Sequence, residues 1–217
     1  MSSDPQQQQA VVAAAAPLSS QQPIVGWRGR FFEDFTVGDV YRHPLGRTVL
    51  PTDNSWLTLL TQNTAALHFD AAYAARTRWG RPLVDSTFTL ALVTGQSVTD
   101  VSMNVMANLA WDRVRMPHPV FEGDTIYSQS EVLEARESAS HQDAGIVRVR
   151  TIGFNQDGVI VITFERTLLV YRRDRGPEMI FATPEWDAAA LKAAGVSLPQ
   201  EPQEGDQTLG SSGGSGS

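Results

Sequence analysis

The sequence predicts an α+β fold in which an antiparallel β-sheet packs against one central helix. Residues 86–98 form a long, mostly apolar run, which indicates a buried helix. From Met106 onwards, four segments alternate apolar with polar residues and are separated by turn residues, as expected of four successive strands. An apolar helix needs a sheet face to cover it, so the order of elements favours one helix on one sheet.

The elements before the central helix are short and begin at polar residues. Residues 39–50 predict a strand that ends at a polar break. One residue of this break is expected to cap the following helix: Thr52, Asp53 or Asn54. A second short helix is predicted over residues 70–78, with Asp70 as its cap, and a Gly80-Arg81-Pro82 turn follows it.

The central helix and the last hairpin carry local signals of their own. Ser86 or Thr87 is expected to cap the central helix. Asp85 has two open interpretations, as a cap of this helix or as part of a pocket wall. Between the last two strands, Asp157-Gly158 predicts a two-residue hairpin turn.

Composition places one ordered domain in the middle of the 217-residue chain. Residues 1–25 are rich in Gln, Ala, Ser and Pro, which predicts a disordered N-terminal tail. Residues 201–217 are rich in Gly and Ser, which predicts a flexible tail or linker. The domain is expected over residues 29–173. Residues 174–200 form an extension in which an alanine-rich segment, closed by Gly195, predicts a helix.

Charge and composition exclude several classes of function. The net charge is −7, whereas nucleic-acid binding depends on clustered Lys and Arg, so no nucleic-acid partner is expected. The chain has no cysteine, which excludes disulfides, thiolate zinc sites and a cysteine nucleophile. The four histidines are dispersed, and no metal site is expected. No run approaches the ~20 apolar residues of a membrane span, so we expect a cytoplasmic protein without a membrane partner.

The segment TQNTAALHFDAAYAARTRWGRPLVDS, residues 61–86, contains the residues best suited to chemistry. His68 lies five residues after Asn63 and two before Asp70. Histidine titrates near neutrality, so His68 can both accept and donate a proton. An amide can orient a water molecule by hydrogen bonds but cannot accept its proton near pH 7. Any proton transfer in this segment therefore depends on His68 rather than on Asn63.

This segment, together with VFEGDTIY and a closing hairpin, resembles the MaoC-type hydratases of the hotdog fold. Their signature is Asp-x-Asn-Pro-x-His-x-Asp, then Ala, then Phe-Gly-x-x-Ile/Val-His-Gly. The resemblance covers residues 31–173, and LLTQNTAALHFD is similar to the branch that contains mesaconyl-CoA and itaconyl-CoA hydratases. It implies a single hotdog domain, with a curved antiparallel sheet wrapped around a long central helix and short overhanging helices. It also implies a homodimer or a higher homo-oligomer.

The same resemblance implies a reaction and a set of site residues. In the family, a His and an Asp activate a water that adds to the β-carbon of an enoyl-CoA thioester, without a metal or redox cofactor. The family His matches His68, and the family Asp matches Asn63. The Phe-Gly pair matches Trp79-Gly80, and the His-Gly pair at the helix start matches Asp85-Ser86.

Further site residues follow from the chemistry that such a substrate needs. The first backbone amides of a helix have no partner inside it, so Ser86 and Thr87 can donate to the thioester oxygen. Substrates of this branch carry a second carboxylate, which arginine binds through paired hydrogen bonds. The candidates for substrate contacts are Asp85, Trp79, Arg47, Arg78 and Arg81.

Two other functions are compatible with the sequence. An acyl-CoA thioesterase on the same fold would need a carboxylate to activate water against the carbonyl carbon, and Asp70 or Asp85 would have to supply it. A non-catalytic acyl-CoA binding or regulatory module is favoured by Asn63, because an amide at this position cannot serve as a base.

Overall fold

The computed structural model describes residues 26–178 and 188–195. Residues 26–178 form one compact unit. Its helices and strands are β1 Val40–Arg42, β2 Arg47–Thr48, α1 Pro51–Thr61, α2 Ala71–Ala74, α3 Ser86–Gln96, β3 Val105–Arg115, β4 Thr125–Glu137, β5 Ala144–Phe154 and β6 Ile160–Tyr171. This α+β arrangement confirms the predicted fold class, a single hotdog domain.

The predicted tails, residues 1–25 and 201–217, lie outside the described residues. The short helix α4, Ala188–Ala193, lies within the predicted extension and outside the compact unit of residues 26–178. It ends before Gly195, whose φ of +70° is accessible to glycine without strain. The alanine-rich helix predicted there is therefore present over these residues. Among the described residues, no helix has the length and hydropathy of a membrane span.

The sheet is antiparallel and places β3 at one edge. Its strand order is β1-β4-β5-β6-β3, and β2 also pairs with β4. The long hairpin of β5 and β6 forms its centre, with Val147 opposite Leu168 and Val149 opposite Arg166. Because side chains alternate between faces along a strand, these four residues share one face of the sheet. Apolar residues of this face form much of the buried core.

Helix α3 packs directly on this face of the sheet. A Cβ atom at Gly153 of β5 would lie 2.7 Å from Val93 Cγ2 and 2.8 Å from Ile162 Cγ2, closer than carbon atoms approach without a shift. The glycine therefore allows α3 to approach the sheet closely. A π-helical turn, Val98–Ser102, continues α3 towards β3. The start of α3 lies at the opposite end, where it meets the segment that holds His68.

Two local predictions of strand structure were wrong in detail. The strand predicted over residues 39–50 is divided into β1 and β2, with Pro44, which has no backbone N–H, in the interruption. The β5–β6 hairpin is not a two-residue turn, because Phe154 pairs with Ile160 and five residues lie between them. Asn155 enlarges this loop, since its side chain accepts hydrogen bonds from two backbone amides of the turn.

The helix caps agree with the prediction in part. Helix α2 is capped by Asp70 as predicted, and α3 is capped by Asp85, one of the interpretations left open for that residue, and not by Ser86 or Thr87. Helix α1 begins at Pro51, after Leu50 as its N-cap residue. Asp53 lies inside its first turn, where its carboxylate accepts from the Leu50 amide at 2.8 Å. The proline explains this early start, because its fixed φ suits the first helical position.

Candidate active site

The candidate active site forms where the end of α1, the turn that carries His68 and the start of α3 meet. Gln62 ends α1 in the left-handed region with φ +57°, and the Asn63 amide then donates to Thr58 O at 2.9 Å. This bend directs residues 63–68 back along α1. The Leu83 amide donates to Leu67 O at 3.2 Å, so the two chain segments lie side by side.

Asn54 joins these segments, although the sequence suggested only a helix cap for it. It is fully buried in α1. Its amide nitrogen donates to His68 O at 2.7 Å and to Leu83 O at 3.1 Å, and its amide oxygen accepts from the Asp85 amide at 2.9 Å. Three hydrogen bonds from one side chain therefore fix the backbone around the site. A usable sequence signal was its position four residues before Thr58, which places two polar residues on one helical face.

His68 is held by one ring nitrogen only. Its Nδ1 lies 2.8 Å from Leu83 O, and because a carbonyl only accepts, Nδ1 must carry the proton. The neutral ring then has an unprotonated Nε2, for which no hydrogen-bond partner is found within residues 26–178 and 188–195. The side chain is half-buried, and His68 is not among the residues that line the two pockets of this region. A fixed tautomer with a free Nε2 is suited to general acid–base catalysis.

Asp85 and Asn63 form a direct pair next to His68. Asn63 Nδ2 donates to Asp85 Oδ2 at 2.6 Å, while Asn63 Oδ1 accepts from the Ala65 amide at 3.0 Å. Asp85 Oδ1 accepts from the Thr87 amide at 2.7 Å and from the Thr87 hydroxyl at 2.5 Å. The cap interpretation of Asp85 is therefore confirmed, whereas Asp85 is not among the residues that line the two pockets of this region.

The electrostatic surroundings keep Asp85 ionised. Burial opposes its ionisation, but hydrogen bonds from Thr87 and Asn63 and the charge of nearby His68 outweigh that effect and hold the pKa of the carboxyl below its ordinary value. The carboxylate therefore carries a negative charge near neutral pH. A carboxylate with a lowered pKa is a weak base, so Asp85 is better suited to electrostatic stabilisation than to proton abstraction.

The two predicted backbone donors are in different situations. The Thr87 amide is already donated to Asp85. The Ser86 amide opens α3 and has no hydrogen-bond acceptor among the described residues. Ser86 also lines a cleft of about 300 Å³, together with Arg78, Trp79, Leu83 and Thr89. Of the two predicted donors, Ser86 is the one available to a molecule in that cleft.

The candidate substrate arginines are engaged to different extents. Arg47 forms a salt bridge with Asp53 through both terminal nitrogens, which neutralises its charge. Arg81 lies over the ring of Phe121, with its guanidinium carbon 4.0 Å from the ring centroid. Arg78 lies 4.3 Å from the Trp79 ring centroid, lines the cleft, and makes no salt bridge with any described residue. Arg81 makes no salt bridge with a described residue either, so what distinguishes Arg78 is that it lines the cleft beside the start of α3.

A second, apolar pocket lies next to Asn63. It has a volume of about 360 Å³ and is lined by residues of α1 and of the following turn, including Thr58, Leu59, Asn63 and Phe69. Asn63 therefore lines this pocket and is also hydrogen-bonded to buried Asp85. Within the part of the chain that the structure describes, no group of three or more His, Cys, Asp or Glu side chains could hold a metal ion.

Comparison with known proteins identifies the family. The family model described as "Mesaconyl-CoA hydratase" matches residues 24–203, most of the chain. The chain belongs to the mesaconyl-CoA hydratase family. This confirms the MaoC-like resemblance, and the branch within it, that the sequence segment around His68 predicted.

Curated members of the mesaconyl-CoA hydratase family align with a large part of this chain. It is 33% identical over 172 residues to the mesaconyl-CoA hydratase of Cereibacter sphaeroides, covering 79% of this chain and 50% of that protein. It is 32% identical over 146 residues to the β-methylmalyl-CoA dehydratase of Chloroflexus aurantiacus, covering 67% of this chain and 41% of that protein. The chain thus spans about half the length of the curated relatives it matches.

A solved structure extends the comparison with the family to three dimensions. The structure of a MaoC domain protein dehydratase from Chloroflexus aurantiacus has a TM-score of 0.67 and 30% sequence identity. It covers 74% of this chain, and this chain covers 46% of that one. The similarity therefore extends from sequence to fold over the domain that contains His68.

Proposed function

We propose that the protein is a hydro-lyase that adds water reversibly to a short α,β-unsaturated acyl-CoA thioester, with His68 as the acid–base residue. One observation carries the proposal. His68 is fixed through Nδ1, its Nε2 is free, and it lies beside the start of α3, where the Ser86 amide is available. Membership of a family whose curated relatives are named hydratase and dehydratase supports the same reaction.

The proposed addition requires one base and one hydrogen-bond donor. His68 Nε2 takes a proton from water as the water oxygen forms a bond to the β-carbon. The electron pair of the double bond moves towards the thioester oxygen, which accepts a hydrogen bond from the Ser86 amide. Protonated His68 then gives its proton to the α-carbon, so the neutral histidine is restored. The reverse sequence removes water from the 3-hydroxyacyl thioester.

Asn63 has a supporting role in this mechanism. Both ends of its amide are engaged, by Asp85 and by the Ala65 amide, and one N–H remains to contact water or substrate. Because this group cannot accept a proton, the proton transfers belong to His68. Replacing Asn63 by Ala should therefore reduce turnover less than replacing His68.

The proposed reaction is tested with a panel of thioesters. The full chain is incubated with mesaconyl-CoA, crotonyl-CoA and saturated butyryl-CoA, while the absorbance of the conjugated thioester and the release of free thiol are followed. Loss of absorbance without thiol supports hydration. Thiol release from butyryl-CoA would instead indicate a thioesterase, and binding without either signal would indicate a binding module.

We further propose that the substrate is a branched or dicarboxylic acyl-CoA of the mesaconyl-CoA or itaconyl-CoA type. Arg78 supports this substrate class, because its guanidinium has no salt bridge among the described residues and lines the cleft that contains Ser86. A carboxylate bound there would receive paired, charge-assisted hydrogen bonds. The names of the curated relatives point to the same class of substrate.

The substrate class is tested by comparing two arginine substitutions. Arg78→Met is expected to raise KM for mesaconyl-CoA ~10–100-fold, since a hydrogen bond to a charged group contributes about 1.5–3 kcal/mol. It should change KM for crotonyl-CoA, which lacks the second carboxylate, by less than about threefold. Arg81→Met removes a neighbouring charge that lies over Phe121 and serves as the control. Equal effects of both substitutions on both substrates would contradict a carboxylate contact at Arg78.

We also propose a homodimer formed at the edge strand β3. Leu109 and Trp111 on this strand are 53% and 47% exposed, and an unpaired, apolar sheet edge favours pairing with another chain. Trp111→Lys should yield a monomer in light scattering, whereas Trp56→Lys, an exposed tryptophan on α1, should leave the dimer intact.

A further inference from the structure

A second histidine, His118, lines the cleft at the start of α3, although it belongs to a distant part of the chain. The cleft of about 300 Å³ that contains Ser86 is also lined by the segment that follows strand β3, residues 116–120. All four histidines of the chain lie within the described residues, and His118 is the one that lines this cleft. A molecule whose carbonyl oxygen accepts from the Ser86 amide would therefore occupy the same cleft as the ring of His118.

The segment that carries His118 is fixed against the residues that precede α3. The Val84 amide donates to Val120 O at 3.0 Å, and an antiparallel bridge pairs the residues next to them. His118 lies two residues before Val120 and between two prolines, whose rings restrict the backbone. The position of the imidazole relative to the start of α3 is therefore defined by contacts of the fold.

The ring of His118 is held in one tautomer that leaves an acceptor free. Its Nδ1 lies 2.8 Å from Ile160 O, and because a carbonyl only accepts, Nδ1 carries the proton. In the neutral ring Nε2 is then an acceptor, and it has no hydrogen-bond partner within the described part of the chain. The other side chains of the cleft that carry nitrogen, Arg78 and Trp79, can only donate. His118 therefore supplies the cleft with its nitrogen acceptor.

Hydration of an enoyl thioester creates a hydrogen-bond donor in the acyl group. The attacking water has two O–H groups, and in the proposed mechanism His68 takes the proton of one. The other O–H stays on the oxygen and becomes the hydroxyl of the 3-hydroxyacyl thioester. This O–H needs an acceptor, which the Ser86 amide and the remaining N–H of Asn63 cannot supply because both are donors. The enoyl form has no such donor in its acyl chain.

We propose that His118 is a substrate-binding residue, whose Nε2 accepts a hydrogen bond from the hydroxyl group of a bound 3-hydroxyacyl thioester. In the hydration direction, the same nitrogen orients the attacking water through the O–H that His68 does not deprotonate. This inference rests on the proposed hydratase function. His118 gains and loses no proton in the reaction, so it determines which form of the thioester is bound and leaves proton transfer to His68.

The substitution His118→Asn separates the acceptor from the structural role of the ring. Asparagine removes Nε2 but keeps an N–H donor near the position of Nδ1, so the hydrogen bond to Ile160 O can be retained. The dissociation constants of 3-hydroxybutyryl-CoA and butyryl-CoA are measured by calorimetry with the full chain at about pH 8, where imidazole side chains are mostly unprotonated. Both proteins also carry His68→Gln, so that the hydroxyacyl ligand is not dehydrated during the measurement.

The expected result is a loss of affinity for the hydroxylated ligand only. His118→Asn should raise Kd for 3-hydroxybutyryl-CoA ~2–10-fold, the net contribution of one neutral hydrogen bond. Kd for butyryl-CoA, which has the same coenzyme and no hydroxyl group, should change by less than about twofold because no hydrogen bond is lost. The increase should be concentrated in one enantiomer of 3-hydroxybutyryl-CoA, since a fixed nitrogen reaches a hydroxyl on one face of the acyl chain.

His141→Asn is the matched control, because His141 is an exposed histidine outside the cleft. It should leave both dissociation constants unchanged. In His118→Asn, an equal increase for both ligands would place the lost contact outside the acyl hydroxyl and overturn the proposal. An unchanged Kd for both ligands, an equal increase for both enantiomers, or no binding of either ligand would overturn it as well.

The proposed function and this inference fail in different measurements. A wild-type protein that hydrates neither mesaconyl-CoA nor crotonyl-CoA would refute the proposed reaction, while the binding comparison would still decide whether His118 contacts the hydroxyl group. A wild-type hydratase whose His118→Asn variant binds both ligands with unchanged affinity would refute only the role of His118.

Discussion

Two histidines of this molecule differ in how many of their ring nitrogens are hydrogen-bonded. Buried His43 donates from Nδ1 to Asp100 Oδ2 at 3.0 Å and accepts at Nε2 from the Ser130 hydroxyl at 2.9 Å. His68 donates from Nδ1 to Leu83 O, and its Nε2 has no partner within the described residues. The first ring is fully hydrogen-bonded and only 3% exposed, whereas the second is half-buried and keeps one nitrogen free.

The comparison shows that polar neighbours alone do not identify a reactive histidine. Asp100, His43 and Ser130 follow the carboxylate, imidazole and hydroxyl order of a hydrolase triad. Ser130 is completely buried, however, and its hydroxyl is also hydrogen-bonded to Thr151 at 2.8 Å. No substrate can reach such a hydroxyl without opening the core. An accessible, unoccupied ring nitrogen is the better criterion.

The largest expected effect is the loss of activity when His68 is replaced. His68→Gln should reduce kcat/KM ~10²–10⁴-fold, the usual contribution of a general acid–base residue, because glutamine cannot carry a proton between water and carbon. Its far-UV circular dichroism and Tm should stay close to those of the wild type, since the replaced ring is half-buried. Activity within a few-fold of the wild type would remove His68 from the mechanism.

Replacement of His43, the buried histidine, should affect stability rather than activity. His43→Ala should lower the free energy of unfolding by about 2–4 kcal/mol, because it removes two buried hydrogen bonds, one of them to a carboxylate. Urea denaturation gives this value, and kcat/KM is measured per folded molecule at low temperature. An activity loss as large as that of His68→Gln would show that the buried network takes part in catalysis.

The smallest effect is a dependence of stability on pH. Burial lowers the pKa of His43 below its ordinary value of 6.5, although Asp100 works in the opposite direction and the nearby Arg166 and Arg30 reinforce the lowering. As the pH falls below 6.5, the unfolded chain binds a proton before the folded one does. This contribution to stability is therefore complete above pH 6.5 and decreases towards the lower, folded-state pKa.

The slope of this decrease is limited to about 1.4 kcal/mol per pH unit, the value for one proton. It is measured by urea denaturation between pH 7.5 and 5.5, with the His43→Ala variant as the control that should lack it. Asp85 and Glu165 do not interfere, because their lowered pKa values place their titration below this range. A variant with the same slope as the wild type would assign the effect to another group.

The sequence predicted the parts of this molecule that depend on local patterns. Four strands, the central helix and the capping of α2 by Asp70 follow from alternation, apolar runs and cap chemistry within a few residues. The alignment of His68 with a family signature followed from the resemblance of residues 61–86 to that signature. The hydrogen bonds of Asn54 and the hydrogen bond between Asn63 and Asp85 could not be predicted from local patterns, because they join residues 14 to 31 positions apart.

The environments of the two histidines could not be predicted from the sequence either. His43 meets Asp100 across 57 positions and Ser130 across 87 positions. No local pattern distinguishes a buried imidazole with two partners from an accessible imidazole with one. That distinction arises only when the sheet and α3 enclose the first ring and leave the second at the surface.

The distance between α3 and the sheet can be changed by substitution at Gly153. Because a methyl group there would meet Val93 at 2.7 Å, the absent side chain determines how deeply the helix sits, and with it the position of Ser86 at the far end. A paired exchange of volume, Gly153→Ala with Val93→Ala, would alter that distance without touching a reactive group. Redesigning the support of the helix would therefore move the Ser86 amide without a change in the residues around it.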